Sequence, residues 1–130
     1  MDAIATANAA TAVPEAGIII LATSSSTPVL TRAQVRPNAL VCTLGSKQVG
    51  RAEFGPDLGQ GADVVVSDSP AQVSAYDPPH VLASTSVVDR IHHLGAVLAA
   101  EQLVPDGSHV FFSVGLAGTE AWLLNDLITQ

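Results

Sequence analysis

Cysteine, aromatic residues and positive charge are all scarce in this sequence. The single cysteine, Cys42, excludes an internal disulfide and a thiolate metal cluster, so we expect a reducing compartment, the cytoplasm, and no metal site. Five Lys and Arg residues stand against twelve Asp and Glu residues, a formal net charge of −7. This balance excludes the basic surface that binds nucleic acid or an anionic membrane. Because aromatic residues make up only 4% of the chain, its core must consist of Ala, Val, Leu and Ile.

Long hydrophobic runs are also missing. The longest, residues 18–22, is far shorter than the ~20 residues that span a bilayer, and the first 16 residues lack the cationic start of a signal peptide. The chain of 130 residues is nevertheless 48% hydrophobic and only 13% charged. These values predict one folded domain, with residues 1–8 poorly ordered.

Four apolar segments have the length and composition of buried strands. Each of them ends in a polar or glycine-containing loop, and β-branched residues are frequent in them, as is typical of parallel strands that are covered on both faces. We predict strands in residues 17–22, 39–44, 62–67 and 110–114.

Helical segments are predicted between and after these strands. Thr31 and Gln34 have the spacing of a capping box, and Ser69 before Pro70 favours a second short helix. Apolar residues recur every three or four positions from Val87 to Leu98 and again from Ala121 to Ile128, which predicts two longer helices. Residues 46–51 are predicted to be a loop.

Together these segments predict an α/β fold with a partial parallel sheet of about four strands and covering helices. Ligands of such sheets bind beyond the carboxyl ends of the strands. We expect residues 23–27, 43–47, 67–69 and 113–115 to meet there and to offer neutral hydroxyl and amide groups to a polar organic ligand.

Six segments, in order, resemble the ornithine cyclodeaminase/μ-crystallin family of NAD(P)-binding proteins. They are 22–30 (ATSSSTPVL), 38–46 (NALVCTLGS), 50–54 (GRAEF), 62–69 (ADVVVSDS), 94–98 (LGAVL) and 111–117 (FFSVGLA). The resemblance covers nearly the whole chain after about Asn8. It implies the distal part of a Rossmann-like, NAD(P)-binding domain.

The resemblance also implies two parts that this sequence does not contain. Family members have a substrate-binding domain and an earlier βαβ unit whose glycine-rich turn receives the cofactor pyrophosphate. The nearest string here, Gly59 and Gly61, is followed by Val64 where a third glycine is needed. We therefore expect a truncated domain with no tight NAD(P) binding of its own.

Some family contacts can be carried over to matching positions. The resemblance implies that Thr23, Thr43, Leu44 and Gly45 lie on the nicotinamide side of the cofactor, and that Val114 and Gly115 lie beside the substrate. The alternative is purely structural: Thr23 caps a loop, Gly45 provides a positive φ angle, and Val114 packs in the core.

Lys47 occupies the place where cyclodeaminases of the family have an aspartate proposed as the acid/base. A lysine is not a carboxylate base at neutral pH, so the resemblance favours ketimine reductase or amino-acid dehydrogenase chemistry over the cyclodeaminase reaction. A solvated loop lysine is the alternative.

Other polar residues carry weaker signals. His92 and His93 are adjacent, which does not give the i, i+4 spacing of a helical metal site, and we interpret them as surface histidines of a helix. Residues 24–26 with His80 and His109 provide the residue types of a hydrolase triad without its Gly-x-Ser-x-Gly motif. Trp122 is interpreted as a core or interface residue.

Two functions remain open. One is a stand-alone, non-catalytic module, and the other is a part of an NAD(P)-dependent reductase, dehydrogenase or cyclodeaminase that needs a partner segment. Because a truncated sheet leaves a bare strand edge and apolar faces, we expect a homo-oligomer, most simply a dimer.

Overall fold

A computed structural model of the chain describes residues 3–100, 105–115 and 119–129. Five parallel strands form one sheet in the order β1-β2-β7-β5-β6. They are β1 (Ile18–Leu21), β2 (Leu40–Thr43), β5 (Val64–Ser67), β6 (Ile91–His93) and β7 (His109–Phe112). The short strands β3 (Lys47–Gln48) and β4 (Arg51–Ala52) form a separate antiparallel hairpin. The predicted α/β class with a partial Rossmann-like sheet is confirmed.

Five α-helices accompany the sheet. They are α1 (Ala9–Ala12), α2 (Pro56–Gln60), α3 (Pro70–Ala75), α4 (Leu94–Ala99) and α5 (Thr119–Ile128). Two 3₁₀ helices, Arg32–Gln34 and Ser86–Arg90, lie in the connections. The predicted short helices after Thr31 and Ser69 are confirmed as the first 3₁₀ helix and as α3. In the former, the Gln34 side chain accepts a hydrogen bond of 2.8 Å from the Thr31 backbone N–H.

The sheet alternates strictly between its two faces. On one face, the residues in register are Ile19, Val41, Val110 and Val65, followed by Leu21, Thr43, Phe112 and Ser67. All eight are buried, and α2 and α3 add Leu58 and Val73 to the core on this side. The period of two along each strand therefore builds a single hydrophobic core on this face.

The opposite face is only partly covered. Its rows in register are Ile18, Leu40, His109 and Val64, then Ile20, Cys42, Phe111 and Val66. The chain advances across the sheet from β1 to β6 and then returns to β7 in the middle. Since parallel connections are right-handed, the returning connection crosses this second face, and α4 is the element that lies there.

Two expectations from the sequence are wrong. The spacing of apolar residues from Val87 to Leu98 arises from a 3₁₀ helix, strand β6 and helix α4 in succession, because Ile91–His93 pairs with β5 and ends the helical path. The sheet therefore has five strands instead of about four. Residues 46–51 belong to the β3–β4 hairpin, whose turn contains Gly50 at φ 82°.

The final helix is confirmed as α5, but its surroundings were not expected. Trp122 is 71% exposed, so its interpretation as a core residue is wrong. Within the described residues, no helix is long and apolar enough to cross a membrane.

Candidate functional site

The carboxyl ends of the parallel strands bring four loops to one edge of the sheet. Thr23 follows β1, Gly45 follows β2, Asp68 follows β5, and Ser113 follows β7. The β3–β4 hairpin adds Lys47 and, just after its second strand, Glu53. The predicted meeting of these loops is confirmed, whereas the predicted neutral character is wrong, because two carboxylates and one ammonium group lie among the hydroxyls.

Glu53 joins three of these segments, although it is completely buried. Its Oε2 accepts hydrogen bonds from the Thr23 backbone N–H at 2.7 Å and from Thr23 Oγ1 at 2.8 Å. Its Oε1 accepts one from the Gly45 N–H at 2.7 Å. Hydrogen bonds from backbone amides compensate for the burial of a carboxylate. Glu53 therefore fixes the loop after β1 against the loop after β2.

Gly45 is required by space and not by its backbone angle. A Cβ at this position would clash with the Thr23 carbonyl oxygen and with the Glu53 carboxylate. The described positive-φ glycines are Gly50, Gly107 and Gly115, so the suggested positive φ at Gly45 is wrong.

Asp68, Tyr76 and Lys47 hold the segment after β7. The Asp68 carboxylate accepts hydrogen bonds from Ser113 Oγ at 2.9 Å and from the Val114 N–H at 2.8 Å. The Tyr76 hydroxyl donates to the Val114 carbonyl at 2.5 Å, and Lys47 Nζ donates to the Ser113 carbonyl at 2.6 Å. The Ser113 carbonyl and both polar backbone groups of Val114 are thus bound by side chains from other elements.

Lys47 is half-buried and is not a freely solvated loop residue. Burial lowers the pKa of its ammonium group, while the nearby carboxylates of Asp68 and Glu53 oppose that shift. Its hydrogen bond to the Ser113 carbonyl uses one of its three N–H donors, so the other two can face a ligand. The group is the cation of an otherwise acidic edge.

Two buried polar atoms lie below the edge. Thr43 Oγ1 and His80 Nε2 have no hydrogen-bond partner among the described residues. His80 Nδ1 accepts from the Leu82 N–H at 3.1 Å, and the ring packs edge-on against Phe112. Burial, and secondarily the charge of Lys47, lowers the pKa of His80 to about 4.

The structure places the residues implied by the resemblance in different environments. Thr23, Lys47 and Gly115 lie at the edge, and Leu44 is 49% exposed there. The Thr43 and Val114 side chains instead point into the core. Only backbone groups of these two residues can meet a ligand. Contact with a cofactor or substrate stays a prediction for the six positions Thr23, Thr43, Leu44, Gly45, Val114 and Gly115.

The histidines and serines that carried weaker sequence signals do not form a catalytic or metal site in the described part of the chain. His109 starts β7 at the opposite end of the sheet, where its Nε2 bonds to the Pro105 carbonyl, and His80 is buried, so no hydrolase triad forms with residues 24–26. His92 and His93 end strand β6, and the interpretation as helix residues is wrong. Within the described part of the chain, no group of three or more His, Cys, Asp or Glu side chains is placed to hold a metal ion.

The sequence analysis missed Glu53 and Tyr76 and did not single out Asp68. The position of Asp68 could have identified it as a candidate site residue, because it directly follows a buried strand. Glu53 lies in the sequence Ala52-Glu53-Phe54, and its two neighbours are buried. A lone acidic residue between apolar residues is the only sign of its role, and that sign does not identify its partners.

Comparison with known proteins then identifies the family. The model of the ornithine cyclodeaminase/mu-crystallin family matches residues 1–123. The chain belongs to this family. A search of curated proteins finds no match.

Several solved structures share the fold of this chain. A probable ornithine cyclodeaminase from Bordetella pertussis Tohama I superposes with a TM-score of 0.69 at 25% identity, over 82% of this chain and 36% of that one. The Thermococcus litoralis Δ1-pyrroline-2-carboxylate reductase, in complex with NADH and L-proline, gives a TM-score of 0.69 at 21% identity over 85% and 36%. The iminosuccinate reductase of Paracoccus denitrificans, in complex with NAD+, gives a TM-score of 0.69 at 21% identity, over 86% of this chain and 36% of that one.

This ornithine cyclodeaminase/μ-crystallin family chain therefore spans about a third of the length of those structures.

Proposed function

We propose that the chain is the nicotinamide-side half of an NAD(P)-binding domain and does not bind the whole dinucleotide tightly or catalyse a reaction on its own. The observation that carries the proposal is the built edge of the sheet. Glu53, Asp68, Tyr76 and Lys47 fix the loops after β1, β2 and β7 by hydrogen bonds of 2.5–2.9 Å. Such fixed loops are typical of a ligand-binding edge in an open α/β sheet.

The chemistry of this edge suits one end of the cofactor only. A nicotinamide ring carries an amide and, when oxidised, a positive charge. Backbone amides and carbonyls near Leu44 and Gly115 can pair with the amide, and the half-buried carboxylate of Asp68 suits a cationic ring. A pyrophosphate needs a glycine-rich turn at a helix N-terminus, and the 130 residues contain no Gly-x-Gly-x-x-Gly. Their net charge of −7 also disfavours it.

Nicotinamide mononucleotide and NAD+, which carry the same oxidised ring, test this assignment when they are titrated separately against the 15N-labelled chain. We expect both to shift the amide resonances of Leu44, Gly45 and Gly115 with similar, weak dissociation constants in the millimolar range, because the adenylate half gains no contacts. ADP-ribose should shift none of them. Arg32 and Arg90, at the opposite end of the sheet, provide the internal control.

Two results would contradict the proposal. One is micromolar binding of NAD+ with much weaker binding of the mononucleotide, since it requires a pyrophosphate site. The other is the absence of any shift at the edge at millimolar ligand, which would leave a module without cofactor contacts.

A second function, part of a ketimine reductase or amino-acid dehydrogenase, is favoured by one observation. Lys47 is half-buried at the edge and points a cationic donor there, where an imine substrate could receive a proton. In this case the chain with a βαβ segment from a relative would consume NADH with Δ1-pyrroline-2-carboxylate, the type of substrate named for the Thermococcus enzyme. Loss of that activity in Lys47→Met, with Arg51→Met unchanged, would favour this function.

A further inference from the structure

Lys47 is the only lysine among the 130 residues, and its amine is held in place at the edge of the sheet. The side chain is half-buried in strand β3, and Nζ donates a hydrogen bond of 2.6 Å to the Ser113 carbonyl. Most lysines in proteins instead extend a strongly hydrated ammonium group into water on a flexible side chain. A primary amine that is fixed and partly removed from water is a candidate nucleophile.

Three other functional groups converge on the same short segment after β7. The Asp68 carboxylate accepts hydrogen bonds from Ser113 Oγ and from the Val114 N–H, and the Tyr76 hydroxyl donates to the Val114 carbonyl. An amine, a carboxylate, a phenol and a serine hydroxyl therefore surround two successive residues. This combination provides a nucleophile together with groups that exchange protons as the nucleophile adds to a carbonyl.

The surroundings of Lys47 favour the neutral amine more than water does. Burial lowers the pKa of the ammonium group and outweighs the opposing charges of Asp68 and Glu53. Burial and the Asp68 charge raise the pKa of Tyr76, so its hydroxyl stays a proton donor at neutral pH. A neutral amine that donates one N–H to the Ser113 carbonyl directs its lone pair away from that oxygen, where a carbonyl carbon can approach.

We propose that Lys47 is a covalent binding site for small neutral aldehydes. The amine adds to the carbonyl carbon and forms a carbinolamine. Loss of the hydroxyl group together with an amine proton, as water, then leaves an imine between Nζ and the former carbonyl carbon. No oxidant or reductant takes part in this step. Asp68 and Glu53 place negative charge near the amine, so a neutral aldehyde is favoured over an oxo acid, which carries a carboxylate.

This proposal goes beyond the cofactor proposal and does not depend on it. Imine formation needs Lys47 and its surroundings but no nucleotide. A chain that shows no nicotinamide-induced shifts can still capture an aldehyde, and a chain that captures none can still bind the mononucleotide. The failure of one proposal is therefore distinguishable from the failure of the other.

Reductive trapping with sodium cyanoborohydride tests the site. The chain is incubated at neutral pH with propanal, and Nα-acetyl-lysine amide in the same solution serves as the reference amine. We expect mass spectrometry to find propylated Lys47. Its rate relative to the reference should be at least about tenfold higher in the folded chain than in the chain unfolded in guanidinium chloride, because a tenfold larger neutral fraction corresponds to a pKa lower by about one unit.

A variant and a second aldehyde complete the test. Lys47→Arg keeps the charge and removes the amine, so propylation should then be confined to the amino terminus of the chain. Glyoxylate, an anionic aldehyde, should give a smaller folded-to-unfolded ratio than propanal. A propanal ratio at or below one would overturn the proposal, since it would mean that the edge holds Lys47 as an unreactive ammonium group. A larger ratio for glyoxylate would overturn the assignment to neutral aldehydes and would indicate an oxo-acid site.

Discussion

A single buried carboxylate organises the loops of the functional edge. Glu53 accepts three hydrogen bonds of 2.7–2.8 Å from Thr23 and Gly45. An amide in its place offers a donor where the site needs an acceptor. The structure at this edge therefore depends on one side chain that has no exposed surface.

Glu53→Gln should lower the free energy of unfolding by about 3 kcal/mol, because at least one buried N–H or O–H donor loses its acceptor. Urea denaturation at neutral pH measures the change. Glu15→Gln, the same replacement at an exposed position, should change stability by less than about 0.5 kcal/mol. A small effect of Glu53→Gln would mean that water or a rearranged loop satisfies these donors.

His80 makes stability depend on pH in a defined direction. The pKa of His80 in the folded chain is lowered to about 4, below the ordinary value near 6.5, because burial disfavours the imidazolium and the Lys47 charge adds to this. The unfolded chain therefore binds a proton that the folded chain does not bind between these two values. The contribution of His80 is fully present above pH 6.5 and is lost as the pH falls toward 4, by at most about 3 kcal/mol.

Denaturation curves between pH 7 and 4.5 for the wild type, His80→Gln and His92→Gln measure this contribution. We expect the pH dependence to become shallower in His80→Gln alone, since His92 is exposed. Equal slopes in all three proteins would show that the imidazole of His80 does not cause the acid sensitivity.

At the scale of elements, two arginines close the carboxyl end of helix α2. Arg90 donates to the carbonyls of Ala62 and Gly59 at 2.8 and 2.6 Å, and Arg32 donates to that of Gly61 at 2.9 Å. Of these carbonyls only that of Gly59 lies within α2, where it also accepts a hydrogen bond of 3.4 Å from the Ala62 N–H, and a cation at this end suits the helix dipole. Both arginines are thereby engaged at the amino end of the sheet, far from the functional edge.

Arg90→Ala should lower the free energy of unfolding by about 2 kcal/mol, since the carbonyls of Ala62 and Gly59 lose their hydrogen bonds to a charged donor. Arg51→Ala removes an equal charge from an exposed hairpin position and is the matched control. Thermal or urea denaturation of both variants separates loss of the hydrogen bonds from loss of charge. Equal effects in the two variants would contradict the capping role.

The elements themselves were predictable to different degrees. Continuous apolar runs identified β1, β2, β5 and β7, because strands that are covered on both faces of a sheet consist of consecutive apolar residues. Strand β6 was missed because its three residues fall within a spacing that also fits a helix. The gathering of the carboxyl-end loops followed from parallel topology alone, whereas the partners of Glu53 did not, because contacts 30 residues apart leave no local signal.

At the scale of the whole molecule, the two faces of the sheet differ, because helices cover one face and leave the other partly open. The first face carries the core and, at its carboxyl end, the edge that we assign to nicotinamide. The second carries an apolar groove between the sheet and α4. Sequence periodicity marked both sets of strand residues as apolar, but it could not show that helices cover only one set well.

The close approach of Gly45 to Thr23 and Glu53 restricts how this edge can change over time. Since a side chain at position 45 displaces the carboxylate, the first replacement at any of the three positions removes most of what the other two contribute. The energetic costs of changing them will not add, and the three residues form one epistatic unit that must be altered together or retained.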